Sequence, residues 1–187
     1  NYGSAILMRA VLPFFLFSAT AGQLADRYDK AILIRLIKTL EVGIMTLACA
    51  GFFMNNLSFL LGSLFLLGIH STLFGPIKYA ILPQTLEAEE LVGGNALIET
   101  GTSLAILVGS ILGGFLIAQP SGGIESLSIA IAVVSFIGLA ASFFIPRTGV
   151  AAPDLKVNWN PVTETWRNIH FIRENKTVFL SVLGISW

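Results

Sequence analysis

His70, Lys78, Asn95 and Glu99 sit inside apolar runs of this 187-residue sequence, and each asks for a chemical reason. A charge well inside hydrocarbon costs roughly 2.5–3.5 kcal/mol on insertion scales. Lys78 lies five residues before Pro83, about 7 Å along a helix rising ~1.5 Å per residue. Glu99 lies eight residues beyond Leu91, about 12 Å into the next run. An ammonium and a carboxylate at comparable depth could pair, or could share a polar cavity. Two plainer readings stay open: Lys78 snorkelling to the interface, and Glu99 making a structural bond between helices. His70, Phe74 and Lys78 recur at i, i+4 and i+8, so one helix face carries all three. His70 is then either a satisfied structural histidine or a contact for substrate or proton. Asn95 stands one turn before Glu99 and could donate to the same ligand.

The elements that must hold these residues are apolar helices. The chain is 55% hydrophobic and 12% charged, with a mean hydropathy of +0.80. Soluble domains carry about 25% charged residues, so the bilayer is the natural solvent. Zero formal net charge argues against a nucleic-acid partner. The single cysteine, Cys49, permits no intrachain disulfide and no metal cluster, and reads as a packed apolar thiol. A spanning helix needs about 20 mostly apolar residues. Candidates run over roughly 5–25, 36–54, 57–82, 91–118 and 127–145, with the start of another near Val178. The expected fold is an all-α membrane protein of about five spanning helices plus part of a sixth, cut from a longer chain. Asn55-Asn56 reads as a tight turn, and the loop 119–125, with Pro120, Gly122 and Gly123, as a short connection.

Orientation follows from the lysines and arginines. Nine of the eleven fall in two joints, 26–38 and 147–176. That side is expected to be cytoplasmic, together with the acidic joint 83–91. In the long polar segment, Asn160 reads as an N-cap, Pro161 as the first helical residue and Glu164 as first-turn acid. Trp159, Val162, Trp166, Ile169 and Arg173 then suit an amphipathic helix on the cytoplasmic membrane surface. A disordered loop is the alternative. Two glycosylation-like triplets, at Asn56 and Asn175, read as chance.

The joint Gly22-Gln23-Leu24-Ala25-Asp26-Arg27-Tyr28-Asp29-Lys30 resembles the loop between helices two and three of the major facilitator superfamily. Gly22 would allow close helix approach. Asp26 could cap a helix or pair with a base as two halves rock, with Arg27 and Lys30 at the cytoplasmic interface. Asp29 departs from the family pattern, which has glycine there. The resemblance implies that residues 1–146 correspond to family helices two to six. It makes 147–177 the central cytoplasmic loop and 178–187 the start of the next helix. It also implies that the helices over 36–54 and 127–145 lie peripherally and the helices carrying Lys78 and Glu99 border the central cavity.

Phe74-Gly75-Pro76-Ile77-Lys78-Tyr79-Ala80-Ile81-Leu82-Pro83, Leu91-Val92-Gly93-Gly94-Asn95-Ala96-Leu97-Ile98-Glu99 and the run 105–114 are similar to bacterial lysophospholipid transporters. This narrower resemblance implies an inner-membrane carrier of lysophospholipids such as lysophosphatidylethanolamine, working by alternating access with a second half. It needs no cofactor, and some members are fused to an acyltransferase. It makes Lys78 the expected phosphate ligand and Glu99 the expected ammonium ligand, with Asn95 and His70 beside them. Gly101, Ala105, Gly109 and Gly113, each four apart, form a small-residue stripe expected to pack against another helix. Drug/proton antiporters of the superfamily typically have a proline after the first glycine of the 109–114 run, where this chain has Ser110. A proton-coupled exporter of a drug or metabolite is the rival carrier reading. A membrane-embedded lipid enzyme using His70 and Glu99 is a rival of another class, but no H-x-x-x-x-D acyltransferase signature is present. A non-transporting anchor for a fused enzyme is a third.

Overall fold

A computed structural model of the chain describes Phe17 and residues 20–150, 152–155 and 157–186. Most of the first expected span, 5–25, lies outside these residues. Its end is a helix, α1, over 20–27. Then follow α2 (Lys30–Phe53), α3 (Leu57–Ala80), α4 (Leu82–Thr85), α5 (Leu91–Ile117), α6 (Gly123–Ser142), α7 (Pro161–Glu174) and α8 (Lys176–Ser186). The described residues contain no strand, as the all-α expectation requires. Three stretches, Leu57–Thr85, Leu91–Ile117 and Gly123–Ser142, are long and apolar enough to cross a membrane by length and composition.

α2 and α3 each start at a side-chain oxygen. Asp29 is extended and accepts from the amides of Ala31 at 2.9 Å and Ile32 at 3.3 Å, satisfying donors that a helix start leaves orphaned. The cap of α2 is thus Asp29, the residue where the family pattern departs, and not Asp26, which is exposed. The Asn55-Asn56 turn divides its labour. Asn55 takes a left-handed φ of 49°, which asparagine tolerates better than most residues. Asn56 then caps α3, accepting from Ser58 at 3.0 Å and Phe59 at 3.4 Å. At the opposite joint Gly122 has φ 73°. A Cβ on Gly123 would stand 2.8 Å from the Ile117 carbonyl, so glycine is required for α6 to leave α5 so closely.

α2 is the centre of the described bundle, packed against α3 on one side and α6 on the other. Ala25, Ile34, Ile37 and Ile77 form the buried cluster, with Leu73 and Phe74 against it. Near the turn, a Cβ on Gly51 would come within 2.9 Å of Leu60, so α2 and α3 meet closely there. Arg35 reaches from α2 to the end of α6, donating to the carbonyls of Ser142 and Phe143 at 3.4 Å and Ile145 at 3.1 Å. A cation there suits both the orphaned carbonyls and the negative end of the helix dipole. Cys49, half-buried, points its thiol at the Ser128 carbonyl of α6 at 3.7 Å.

The linker after α6 is laced back onto α1 and the start of α2. The amide of Gly149 donates to Asp29 Oδ2 at 3.2 Å, and that of Ala152 to the Asp26 carbonyl at 2.9 Å. Gln23 pairs with the backbone of Asn158 in both directions, accepting its N–H at 2.7 Å and donating to its carbonyl at 3.4 Å. The amphipathic helix forms as α7, with Asn160 accepting from Thr163 at 3.3 Å. Trp159, Trp166 and Phe171 are exposed.

Asp29 thus serves two contacts at once. Asp29→Ala is expected to destabilise the folded protein by about 1–2 kcal/mol through the lost cap, read by denaturation in detergent. Asp29→Asn, which keeps the capping oxygen, is expected to lose less than half as much.

Candidate polar cavity

The face carrying His70, Phe74 and Lys78 opens on a cavity of about 760 Å³ between α2, α3 and α5. All three line it, as the i, i+4, i+8 spacing requires. His70 and Phe74 stack with ring centroids 5.9 Å apart. The opposite wall comes from α2, which contributes Lys38 and Glu41. α5 contributes Thr102, Ala105 and Ile106.

Sequence reasoning missed Glu41. Its Oε2 lies 2.7 Å from Lys38 Nζ and 3.1 Å from His70 Nε2. The lysine contact is an aligned hydrogen bond. The histidine contact is close but off the hydrogen-bonding direction, and His70 Nε2 is otherwise unpartnered among the described residues. The Lys38 ammonium also stands 5.1 Å from the centre of the Phe74 ring, within cation–π range. A signal was present in the sequence: opposite charges at i and i+3, with Glu41 inside the apolar run over 36–54. By position Lys38 closes the basic joint 26–38, so in the sequence it reads as a loop cation. α2 thus builds one wall of this cavity.

Lys78 and Glu99 do not pair directly. Lys78 donates to Thr102 Oγ1 at 3.2 Å, and its ammonium lies 4.9 Å from the centre of the Tyr79 ring. Glu99 accepts from the Tyr79 hydroxyl. Thr102 is three residues beyond Glu99 and shares its helix face, so the two neighbours Lys78 and Tyr79 divide that face between them. Lys78 is half-buried, whereas Glu99 and Asn95 are exposed. The Asn95 side chain folds onto its own helix, donating to the Leu91 carbonyl at 2.8 Å. His70 and Lys78 are therefore brought together around the cavity, and Glu99 and Asn95 are not.

The other two sets sit elsewhere. In the joint after α1, Arg27 lies 5.6 Å over the Tyr28 ring. Lys30, expected at the aqueous interface, is instead 1% exposed, because the first turn of α2 starts inside the bundle. A Cβ on Gly22 would meet nothing within 4 Å. The same holds for Gly101, Gly109 and Gly113, and Ala105 is exposed. The small-residue stripe has no helix against it among the described residues, because α5 contacts chiefly α6 and α4.

The family model of the Major Facilitator Superfamily matches residues 2–187. The chain belongs to the Major Facilitator Superfamily. Within the superfamily it is similar to the lysophospholipid transporter of Photorhabdus laumondii, 31% identical over 185 residues, covering 94% of this chain and 42% of that protein. The transporter of the same name from Pectobacterium carotovorum is 34% identical over 159 residues, covering 83% and 35%. That of Serratia proteamaculans is 31% identical over 191 residues, covering 100% and 45%. The chain therefore spans less than half the length of these curated relatives. No solved structure matches it.

Lys38 and Glu41 are partly buried, at 20% and 14% side-chain exposure, so removing one strands the other charge. Lys38→Met is expected to destabilise the protein more than the double variant Lys38→Met/Glu41→Gln, with a coupling of about 1–3 kcal/mol. Unfolding in detergent micelles, run as a double-mutant cycle, measures it.

Proposed function

We propose that this chain is part of a carrier that moves lysophospholipids across the bacterial inner membrane by alternating access. The observation that carries the reading is the cavity: among its described lining residues it collects Lys38 and Lys78 against the single carboxylate of Glu41. That surplus of positive charge favours an anionic group, and the phosphate of a lipid headgroup supplies one. Lys78 is the principal phosphate ligand in this reading, held by Thr102 from the neighbouring helix. The relatives' printed name, lysophospholipid transporter, points to the same substrate class.

The remaining parts of the reading follow from it. The joints 26–38, 83–91 and 147–177 face the cytoplasm, and α7 lies on the inner membrane surface. A second half of the same carrier completes the site, since rocking needs two bundles. An acyltransferase, fused or associated, consumes the lipid once it reaches the inner leaflet.

The test uses the complete carrier in spheroplasts of a strain without its own lysophospholipid carrier. Uptake of labelled lysophosphatidylethanolamine should be restored by the parent, fall at least tenfold in Lys78→Ala, and be largely kept in Lys78→Arg. A well-expressed parent that takes up no lipid removes the substrate assignment. Full activity in Lys78→Ala removes the residue assignment alone.

A further inference from the structure

The cavity contains one carboxylate among its described lining residues, and it is Glu41. Glu99, the acid that spacing pointed to, is exposed and held by Tyr79. Both cationic contacts of Glu41 fall on the same oxygen, Oε2. Oε1 has no hydrogen-bond donor among the described residues. A carboxylate offers about four lone-pair sites, so this cavity-lining group keeps acceptor capacity. The Lys38 ammonium likewise has donors beyond the one it gives to Glu41.

A lysine and a glutamate held together are a fixed pair of opposite charges. The ligand that complements such a pair is another zwitterion laid against it head to tail. We infer that Glu41 is the amine-recognising residue of the headgroup site, taking the ammonium of a zwitterionic single-chain phospholipid while Lys38 and Lys78 take its phosphate. This rests on the lysophospholipid reading and deepens it to a headgroup preference. Both cations line the same cavity. Lys38 stands at the level of Phe74, and Lys78 is one turn further along the same face, about 5.4 Å. Glu41 meets α3 at His70, one turn the other way. An ethanolamine arm of two carbons bridges the phosphate at the Phe74 level to the carboxylate at the His70 level. His70 then orients the carboxylate by its contact with Oε2 and leaves Oε1 to the ligand.

The electrostatics give the prediction its sign. Without the Glu41 charge the cavity becomes more cationic. An anionic headgroup lacking an amine loses nothing by this, whereas an amine headgroup loses its partner and meets two lysines. Uptake of lysophosphatidylethanolamine and lysophosphatidylglycerol is to be compared in the complete carrier, wild type and Glu41→Gln, at matched surface expression. The ratio of ethanolamine to glycerol lipid should fall about tenfold in Glu41→Gln, the effect of losing a hydrogen bond to a charged group. Glu41→Asp, which keeps the charge, should retain most of the wild-type ratio. Equal loss of both lipids in Glu41→Gln assigns the residue to structure and overturns the inference. An unchanged ratio with full uptake overturns it as well. A wild-type carrier that takes up neither lipid fails earlier, at the lysophospholipid reading itself, before any variant is compared.

Discussion

A helix surrounded by hydrocarbon can carry a full charge if a counter-charge lies within reach of its side chain, and the arrangement of α2, α3 and α6 follows from that requirement. Glu41 enters an apolar helix and is met by Lys38 one turn back and by His70 from α3. Arg35, three residues before Lys38, turns to the other neighbour and ends on the carbonyls closing α6. The charged side chains in the first half of α2 thus fix both neighbouring helices, one through a side-chain cluster and one through backbone carbonyls. Apolar packing around Ile34, Ile37 and Ile77 adds contact area, but in a bilayer it gives little preference for one neighbour over another, since lipid tails are as apolar as leucine.

Between the helices, small hydroxyls complete the contacts. Ser63, Thr72, Ser135 and Ser142 are buried. Each returns its proton to a carbonyl of its own helix, at 2.9, 2.7, 2.8 and 2.6 Å respectively. They can therefore occupy an interface without demanding a partner across it. α5 contrasts with this. It has no buried residue, and its exposed Leu104, Leu107, Ile111 and Phe115 form a surface suited to lipid tails or to further helices.

The helices were legible in the sequence because hydropathy and capping residues act locally. The Asn55-Asn56 turn, the Asn160-Pro161 start of α7 and the apolar runs of α3, α5 and α6 depend on neighbours a few positions away. The cavity was half legible. Its α3 wall obeys a spacing within one helix, so His70, Phe74 and Lys78 could be placed on one face before any fold was known. Its α2 wall could not, because Lys38 looked like one more loop cation and which way Glu41 points depends on the packing of three helices. The Lys78–Glu99 pair failed for the same reason. Equal depth on adjacent helices does not fix rotation about their axes, and Tyr79 and Thr102 took the two ends. Asp29 was noticed as a departure from pattern, yet its meaning as a cap required seeing that α2 begins at Lys30.

The pairing of Gln23 with both backbone groups of Asn158 has a mechanical consequence. A connecting strand is usually credited with the slack of all its residues. Here the stretch from Arg147 to Asn158 is tied at Gly149, Ala152 and Asn158 to α1 and the start of α2, so the eleven steps between its twelve residues contribute little play. At ~3.5 Å per extended residue, about 38 Å of potential reach is withdrawn. Whatever follows Asn158 is leashed at the mouth of α1, and any separation of the two ends of that leash must first peel a glutamine side chain from a backbone it holds like a short piece of sheet.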